Sequence, residues 1–211
     1  MSEERTEEQV NQRANEKARK RKATRDKILS TKTIEKGLLI VHTGKGKGKS
    51  TAAFGLVTRA IGNDMKIGVV QYVKGKWQTG ERLVLEHFPE QVEIKTMGEG
   101  FTWETQDRAR DIQAAKNAWE ASKEMIEASR GDNPKYDMVL LDELNIVLRY
   151  DYLDLAEVVE YLSNKPVDLH VIVTGRNAKA ELIEAADLVT EMTMIKHPFR
   201  AGVKAQKGIE F

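Results

Sequence analysis

Cysteine is absent from this chain of 211 residues, and so is any long apolar run. Without cysteine, disulfides, zinc–thiolate centres and cysteine nucleophiles are excluded. No hydrophobic stretch approaches the roughly 18–20 residues that a membrane-spanning helix needs. The N-terminus is polar and has no apolar segment of the kind that marks a secretory signal. Together these absences favour a cytoplasmic protein.

An excess of charge of one sign is also absent, because 34 Lys and Arg face 33 Asp and Glu, which gives a net charge of +1. This balance argues against an obligate nucleic-acid binder, which usually has a basic face. Aromatic residues are scarce at 6%, whereas hydrophobic residues make up 40% and charged residues 32%. Length and composition together predict one α/β domain with a real core, plus an extension.

The extension, residues 1–29, carries nine Lys and Arg and six Asp and Glu, with the acidic residues mostly first. Its apolar residues are too sparse for it to fold alone. Three interpretations stay open: a disordered tail, which is favoured for the free protein, a helix that orders on a ligand or a second subunit, and a basic arm for nucleic acid. Residues 30–211 are expected to form the main domain.

The stretch from Gly37 to Thr51 reads GLLIVHTGKGKGKST, and the rest of the chain is organised around it. An apolar run, Leu38 to Val41, predicts a buried strand, and a helix-compatible segment, Ala52 to Ile61, follows the loop. This order predicts a phosphate-binding P-loop, in which backbone N–H groups and a helix N-terminus face an anion. Lys49 is then expected to reach the phosphates, and the Ser50 hydroxyl to bind a divalent cation.

The loop departs from the strict pattern G-x-x-x-x-G-K-[ST], because Thr43 stands five residues before Gly48, where that pattern has glycine. Glycines fall instead at Gly44, Gly46 and Gly48. Phosphate binding is therefore better supported than an ordinary nucleotide hydrolase or kinase. A flexible loop without a ligand is disfavoured by the flanking strand and helix.

Strand and helix patterns alternate along the rest of the chain, with Trp119 on the buried face of the longest predicted helix. The later predicted strands are Lys66 to Val73, Val92 to Met97, Tyr136 to Glu143, Leu169 to Val173 and Leu188 to Ile195. The later predicted helices are Arg82 to Phe88, Thr105 to Ser129, Leu155 to Leu162 and Ala178 to Ala186. The alternation predicts a doubly wound, P-loop NTPase-like (RecA-like) α/β fold of about six mainly parallel strands with helices on both faces.

Two carboxylates, Asp142 and Glu143, end one of the predicted strands. An apolar strand that delivers an acid beside the hydroxyl of a P-loop forms the second half of a nucleotide site, and Mg²⁺ prefers such oxygen ligands. In a hydrolase, Glu143 would orient the attacking water; a surface acid pair is the alternative. The four histidines are scattered and are interpreted as structural: His42, His87, His170 and His197.

A loop rich in glycine and aromatic residues, Gly98 to Asp107, follows the third predicted strand. It contains Phe101 and Trp103, two of only eight Phe and Trp residues in the chain. Ligands bind outside the carboxyl ends of strands in open α/β sheets. On residue type alone, a hydrophobic anchor and a ligand contact are equally good interpretations. The second indicates a large, partly apolar ligand beside the nucleotide.

These motifs resemble those of the P-loop family of ATP:corrinoid (cob(I)alamin) adenosyltransferases, in which the departure at Thr43 is the usual pattern. Ser50 stands where many members have threonine, which keeps the hydroxyl. The blocks that carry the resemblance are Thr43–Gly55, Gly98–Trp103, Leu140–Leu144, Val173–Asn177, Lys196–Phe199 and Gly202–Gln206. They extend over most of the chain, from about Gly37 to the C-terminus.

The resemblance implies that Co(I) of a reduced corrinoid attacks the 5′ carbon of ATP and that triphosphate leaves, in the biosynthesis or salvage of adenosylcobalamin. It implies catalytic roles for Lys49 and Glu143, with Mg²⁺ or Mn²⁺ held by Ser50, Asp142 and Glu143. ATP would lie reversed in the loop, so that its ribose faces the corrinoid. The phosphate-binding residues that it implies are Thr43, Gly44, Lys45, Gly46, Lys47, Gly48, Lys49, Ser50, Thr51 and Arg59.

Phe101 and Trp103 match the aromatic residues that line the lower face of the corrin ring in the family, where they act in catalysis. An apolar wall there would displace the lower axial ligand and make cobalt easier to reduce to Co(I). The electron would come from a reduced flavoprotein, because the chain has no redox group of its own. Family members close the site with an N-terminal helix, often over a partner's site. A homodimer is therefore expected, with no membrane or nucleic-acid partner.

Two other classes of function stay open from the residues. A RecA-like nucleic-acid ATPase would use the basic tail and stack bases on the aromatic loop. A regulatory module that binds a nucleotide but catalyses no reaction would have no catalytic use for Asp142 and Glu143. Within the transferase interpretation, complete cobalamin and a biosynthetic precursor are both open as substrates.

Overall fold

A computed structural model describes residues 6–73, 79–98 and 107–210. The chain divides into two units, one up to Glu35 and one from Lys36 onward. In the first unit, helix α1 runs from Glu7 to Leu29 and begins with a capping box, in which Thr6 and Gln9 each accept a hydrogen bond from the other's backbone N–H. The extension is therefore helical, and no residue of α1 is buried.

The second unit alternates strands and helices. Its strands are β1 (Leu39–Thr43), β2 (Ile67–Gln71), β3 (Val92–Thr96), β4 (Met138–Asp142), β5 (His170–Thr174) and β6 (Leu188–Glu191). Its described helices are α2 (Lys49–Ile61), α3 (Gly80–Leu85), α4 (Arg108–Glu127), α5 (Leu144–Arg149), α6 (Leu155–Ser163), α7 (Ala180–Ala185) and the 3₁₀ turn Pro198–Ala201. Among the helices that the structure describes, none is long and apolar enough to cross a membrane.

The six strands form one sheet in the order β3-β2-β4-β5-β1-β6, and each neighbouring pair is parallel. The predicted sheet of about six mainly parallel strands is thus confirmed. Because all strands point the same way, the loops that follow β1, β4 and β5 meet at one edge. That edge is where open α/β sheets bind their ligands.

Helices cover both faces of the sheet, as predicted. Along β1, Leu39 and Val41 belong to one core cluster and Ile40 to the other, because alternate side chains of a strand point to opposite faces. The first cluster includes Trp119 of α4, which is 3% exposed and confirms the prediction that it is a core residue. The second includes Phe54 of α2. Each fully buried aliphatic side chain contributes about 1.5–3 kcal/mol to this core.

One helix of the structure was not predicted, and one predicted strand is too long. Helix α5 was not predicted; it begins directly after β4, because Glu143 turns the chain with a left-handed backbone at φ 70°. Strand β6 ends at Glu191 rather than at Ile195. Beyond it, Met192 bonds to the last residue of β1, because its N–H donates to the carbonyl of Thr43 at 2.9 Å. The sixth strand therefore stops where its backbone begins to support the glycine-rich loop.

Candidate nucleotide site

The glycine-rich loop joins β1 to α2. Two of its glycines have a positive φ, a backbone conformation that is strained for residues with a Cβ. Gly44 has φ 97° and Gly48, the N-cap of α2, has φ 100°. A Cβ on Gly44 would also clash with the backbone of Met192. At Gly46 a Cβ would lie 2.7 Å from the carbonyl oxygen of Met192, to which the Gly46 N–H donates at 2.6 Å. The glycine spacing thus fits a loop pressed against the chain that follows β6.

Lys49 begins helix α2 and is buried, at 9% exposure. Its ammonium group donates to the carbonyl of Gly46 and so curls back over the loop. Burial lowers the pKa of Lys49, the charge of Arg176 lowers it further, and the carboxylate of Glu143 opposes both effects. The loop thus holds a partly desolvated cation between a second cation and a carboxylate, which is the charge pattern of an anion site.

The carboxylates at the end of β4 are held by Thr174, the last residue of the neighbouring strand β5. The Thr174 hydroxyl donates to Oδ1 of Asp142 at 2.8 Å and accepts from the backbone N–H of Glu143 at 2.9 Å. Asp142 is fully buried, at 0% exposure. Asp142 and Thr174 therefore fix the backbone from which the Glu143 side chain projects.

A cavity of about 420 Å³ opens at this edge of the sheet. The loop lines one side of it with Gly46, Lys47, Gly48, Lys49, Ser50 and Thr51. Other elements contribute Thr79, Glu81, Glu143, Ile146, Arg149, Tyr150, Gly175, Arg176, Ile209 and Glu210. Four cationic side chains and three carboxylates therefore surround one space. A volume of this size falls in the range typical of small-molecule sites.

The C-terminal residues reach this cavity as well. Glu210 forms an ion pair with Lys47 of the loop. Backbone N–H groups of Ile209 and Glu210 donate to the carbonyl of Gln206 at 3.1 and 2.9 Å, which closes a turn. Ile209 and Glu210 thus lie beside the glycine-rich loop.

Most residues of the predicted phosphate loop line the cavity, whereas Thr43, Gly44, Lys45 and Arg59 are not among its lining residues. Thr43 is buried at the end of β1, and its hydroxyl accepts from the N–H of Ala178 at 2.9 Å. Lys45 is exposed and is not among the lining residues. Arg59 is exposed in the last turn of α2, about 15 Å along the helix axis from Lys49 at 1.5 Å per residue. The structure does not bring Arg59 to this cavity, so its phosphate role stays a prediction without structural support.

Phe101 and Trp103 lie outside the described residues, so their predicted corrinoid contact is not tested. Among the described residues, no three His, Asp or Glu side chains form a metal-binding group. His42 and His170 instead contact backbone: a ring nitrogen of His42 lies 3.3 Å from the carbonyl oxygen of Lys49, and His170 accepts from the N–H of Leu38 at 3.1 Å.

Reasoning from sequence missed several residues that line the cavity, among them Arg149, Tyr150, Arg176 and Glu210. Arg176 follows the carboxyl end of β5, so the rule that ligands bind at this edge was a signal that could have found it. Arg149 and Tyr150 end the unpredicted helix α5, and the Arg149 guanidinium lies 5.4 Å from the centre of the Tyr150 ring. No local sequence pattern indicated that Glu210 would line the cavity.

Comparison with known proteins identifies a family whose members resemble this chain. A family model described as "ATP:corrinoid adenosyltransferase BtuR/CobO/CobP" matches residues 35–211. The match includes every strand of the sheet and every described residue that lines the cavity.

Three curated relatives are similar over most of their length. A "Corrinoid adenosyltransferase" of Sinorhizobium sp is 60% identical over 197 residues, which cover 92% of this chain and 90% of the relative. A protein of the same name from Pseudomonas aeruginosa is 50% identical over 95% of this chain and 96% of its own length. The "Corrinoid adenosyltransferase CobA" of Salmonella typhimurium is 48% identical over 84% of this chain and 87% of its own.

Proposed function

Because the chain belongs to the ATP:corrinoid adenosyltransferase family, we propose that it transfers the 5′-deoxyadenosyl group of ATP to Co(I) of a reduced corrinoid at the cavity beside the glycine-rich loop. The Co–C bond forms with the electron pair of Co(I), and the C5′–O bond to the triphosphate breaks. The observation that carries this assignment is Lys49, buried at the loop with its ammonium group curled over the backbone carbonyl of Gly46.

In this proposal the loop stabilises a leaving group. Cleavage leaves triphosphate with roughly four negative charges, and preorganised donors aimed at developing charge are worth more in a desolvated site than in water. Lys49 would exchange the carbonyl of Gly46 for a phosphate oxygen. Arg176 faces the same space and acts on the same charge. No side chain needs to act as a base, because the nucleophile is cobalt.

The residues present fit a divalent cation of the Mg²⁺ type. Ser50 and Glu143 both line the cavity and offer hard oxygen atoms, and Mg²⁺ usually keeps waters beside one or two carboxylates and phosphates. Asp142 is fully buried, is not among the lining residues and is bonded to Thr174, which supports a role in orienting Glu143 rather than direct contact with the cation. A cation bound there supplies charge neutralisation for the triphosphate.

The corrinoid is assigned to the aromatic loop. Phe101 and Trp103 would displace the lower axial ligand of cobalt, and a reduced flavoprotein would supply the electron.

A homodimer, a cytoplasmic location and a role of α1 in closing the site also belong to this proposal. They are supported by resemblance to the family and, for α1, by a helix without a buried residue. The RecA-like nucleic-acid ATPase is not favoured, because the relatives carry the name corrinoid adenosyltransferase.

An anaerobic assay tests the proposal. Protein, ATP, Mg²⁺, a corrinoid and a strong reductant are mixed, and the visible spectrum and the phosphate products are followed. We expect a light-sensitive adenosyl-corrinoid and triphosphate in equal amounts. ADP and phosphate, formed whether or not corrinoid is present, would mean that the loop serves hydrolysis.

A variant connects the activity to the loop. Lys49→Met should lower kcat/KM for ATP about 10²- to 10³-fold, as expected for the loss of one preorganised cation. Lys66→Met removes an exposed lysine that precedes β2, at the opposite end of the sheet, and should leave kcat/KM within about twofold of the wild type. Equal values of kcat/KM for the two variants would contradict the assignment of the ATP site to the glycine-rich loop.

A further inference from the structure

We infer that Glu210 sets the affinity of the loop for triphosphate by competing with phosphate for the ammonium group of Lys47. This inference rests on the proposed function, since it assumes that the cavity receives the triphosphate of ATP. It adds the C-terminal turn to the site as an element that opposes tight binding of the product.

The contact between Glu210 and Lys47 is the structural basis. The two side chains form an ion pair, with the Glu210 side chain 19% exposed and that of Lys47 45% exposed, and both residues line the cavity. A carboxylate oxygen and a phosphate oxygen are the same kind of acceptor for an ammonium group. Glu210 therefore occupies a position at Lys47 that a phosphate group of the substrate would take.

The turn that carries Glu210 is built to move at low cost. Residues 201–209 are exposed, and Glu210 is the only partly buried residue between 201 and 210. The turn is closed by local bonds to the carbonyl of Gln206 and by Gly208, whose φ of 78° favours glycine. Displacing it removes little apolar contact, so the ion pair with Lys47 is the main interaction among the described residues that opposes its release.

The charges around the cavity indicate that Glu210 weakens the binding of triphosphate at Lys47. The cations are Lys47, Lys49, Arg149 and Arg176, and the carboxylates are Glu81, Glu143 and Glu210. Lys49 is bonded to a backbone carbonyl, which a phosphate replaces without charge repulsion. At Lys47, by contrast, an incoming polyanion meets a carboxylate and must displace it. When Glu210 returns to Lys47, it favours release of the triphosphate.

The experiment measures binding of inorganic tripolyphosphate to the full chain by titration calorimetry, first without Mg²⁺ and then with it. The proteins are wild type, Glu210→Gln, Lys47→Met, the double variant and Lys49→Met. We expect Glu210→Gln to bind about three- to tenfold more tightly than wild type. In the Lys47→Met background, the same change should alter the Kd less than about twofold, because no ion pair remains to break. Triphosphate should also inhibit the transferase activity of Glu210→Gln more strongly.

The outcomes separate this inference from the function on which it rests. Unchanged or weaker binding by Glu210→Gln would overturn the role of Glu210 alone. An equal gain in both backgrounds would assign the effect to the general field of a carboxylate and also overturn it. Weaker binding only with Mg²⁺ would make Glu210 a metal ligand instead. If wild type and Lys49→Met both fail to bind, the phosphate loop itself is wrongly assigned, and the inference falls with it.

Discussion

Thr174 donates a hydrogen bond of 2.8 Å to Asp142 across two neighbouring strands, and both residues are fully buried. The same hydroxyl accepts from the backbone N–H of Glu143 at 2.9 Å. One side chain of β5 therefore holds both the carboxylate and the backbone at the end of β4. Glu143 has a left-handed backbone, which costs about 1–3 kcal/mol and persists only where neighbours hold it.

Replacing this hydroxyl should affect both stability and activity. Thr174→Val keeps the shape but removes a donor from Asp142 and an acceptor from Glu143, so we expect a loss of about 1–3 kcal/mol in the free energy of unfolding. Activity should fall about 10- to 100-fold, as when a group that orients a metal ligand is removed. Urea unfolding and kcat/KM for ATP measure the two effects. Thr174→Ser keeps the hydroxyl and is the control; an equal loss in Thr174→Ser would contradict the role of the hydrogen bonds.

The glycines of the loop provide a second test, with a control inside the next helix. Gly44→Ala places a Cβ against the backbone of Met192 at φ 97°, so it should cost more than about 2 kcal/mol of stability. Gly55→Ala, on the exposed side of α2, meets nothing within 4 Å and should stabilise by about 0.5–1 kcal/mol. Thermal unfolding of both variants measures the difference. Equal effects would mean that Gly44 is not constrained by the loop.

Structural features that depend on residues close together in the sequence were predicted correctly. The strand, loop and helix around Lys49 follow from apolar periodicity and glycine spacing, and the acid at the end of β4 follows from one apolar run. Helix α5 was missed because the turn at Glu143 needs a positive φ, which nothing in the residue type of glutamate indicates. Arg59 was assigned to the phosphates by resemblance to the family; it lies in the last turn of a helix of 13 residues, and the assignment stays a prediction.

The contacts that could not be predicted join distant parts of the chain. Lys47 and Glu210 are 163 residues apart, and no local pattern marks either as the partner of the other. The support of Gly46 by Met192 likewise depends on β6 pairing with β1. Such contacts follow from strand order, which alternation of helices and strands does not specify. These long-range contacts are the part of the site that local sequence patterns do not predict.

The aromatic loop can be tested by function although it lies outside the described residues. Phe101→Ala with Trp103→Ala should keep ATP binding, since the glycine-rich loop is intact, but should lose most turnover with Co(II) corrinoid. Activity with chemically reduced Co(I) corrinoid should suffer less, because the axial ligand must be displaced only for the reduction. Anaerobic assays with the two oxidation states measure this difference. Equal losses in both assays would exclude the axial-ligand role.

A pH dependence of stability is expected from His170, whose Nδ1 accepts from the N–H of Leu38 at 3.1 Å. Burial lowers the pKa of His170 below its ordinary value of 6.5, the charge of Lys165 lowers it further, and Asp137 opposes both. The unfolded chain therefore binds more protons than the folded one just below pH 6.5. The contribution of His170 to stability is thus complete above that pH and is lost as the pH falls through the lowered pKa.

His170→Asn keeps an acceptor for Leu38 but cannot be protonated, so it should flatten the decrease in unfolding free energy below about pH 6.5. One titrating group changes this free energy by at most about 1.4 kcal/mol per pH unit. Urea unfolding at several pH values between 5 and 8 measures the slope. If His170→Asn and wild type lose stability in parallel, other groups carry the acid sensitivity and protonation of His170 does not contribute to it.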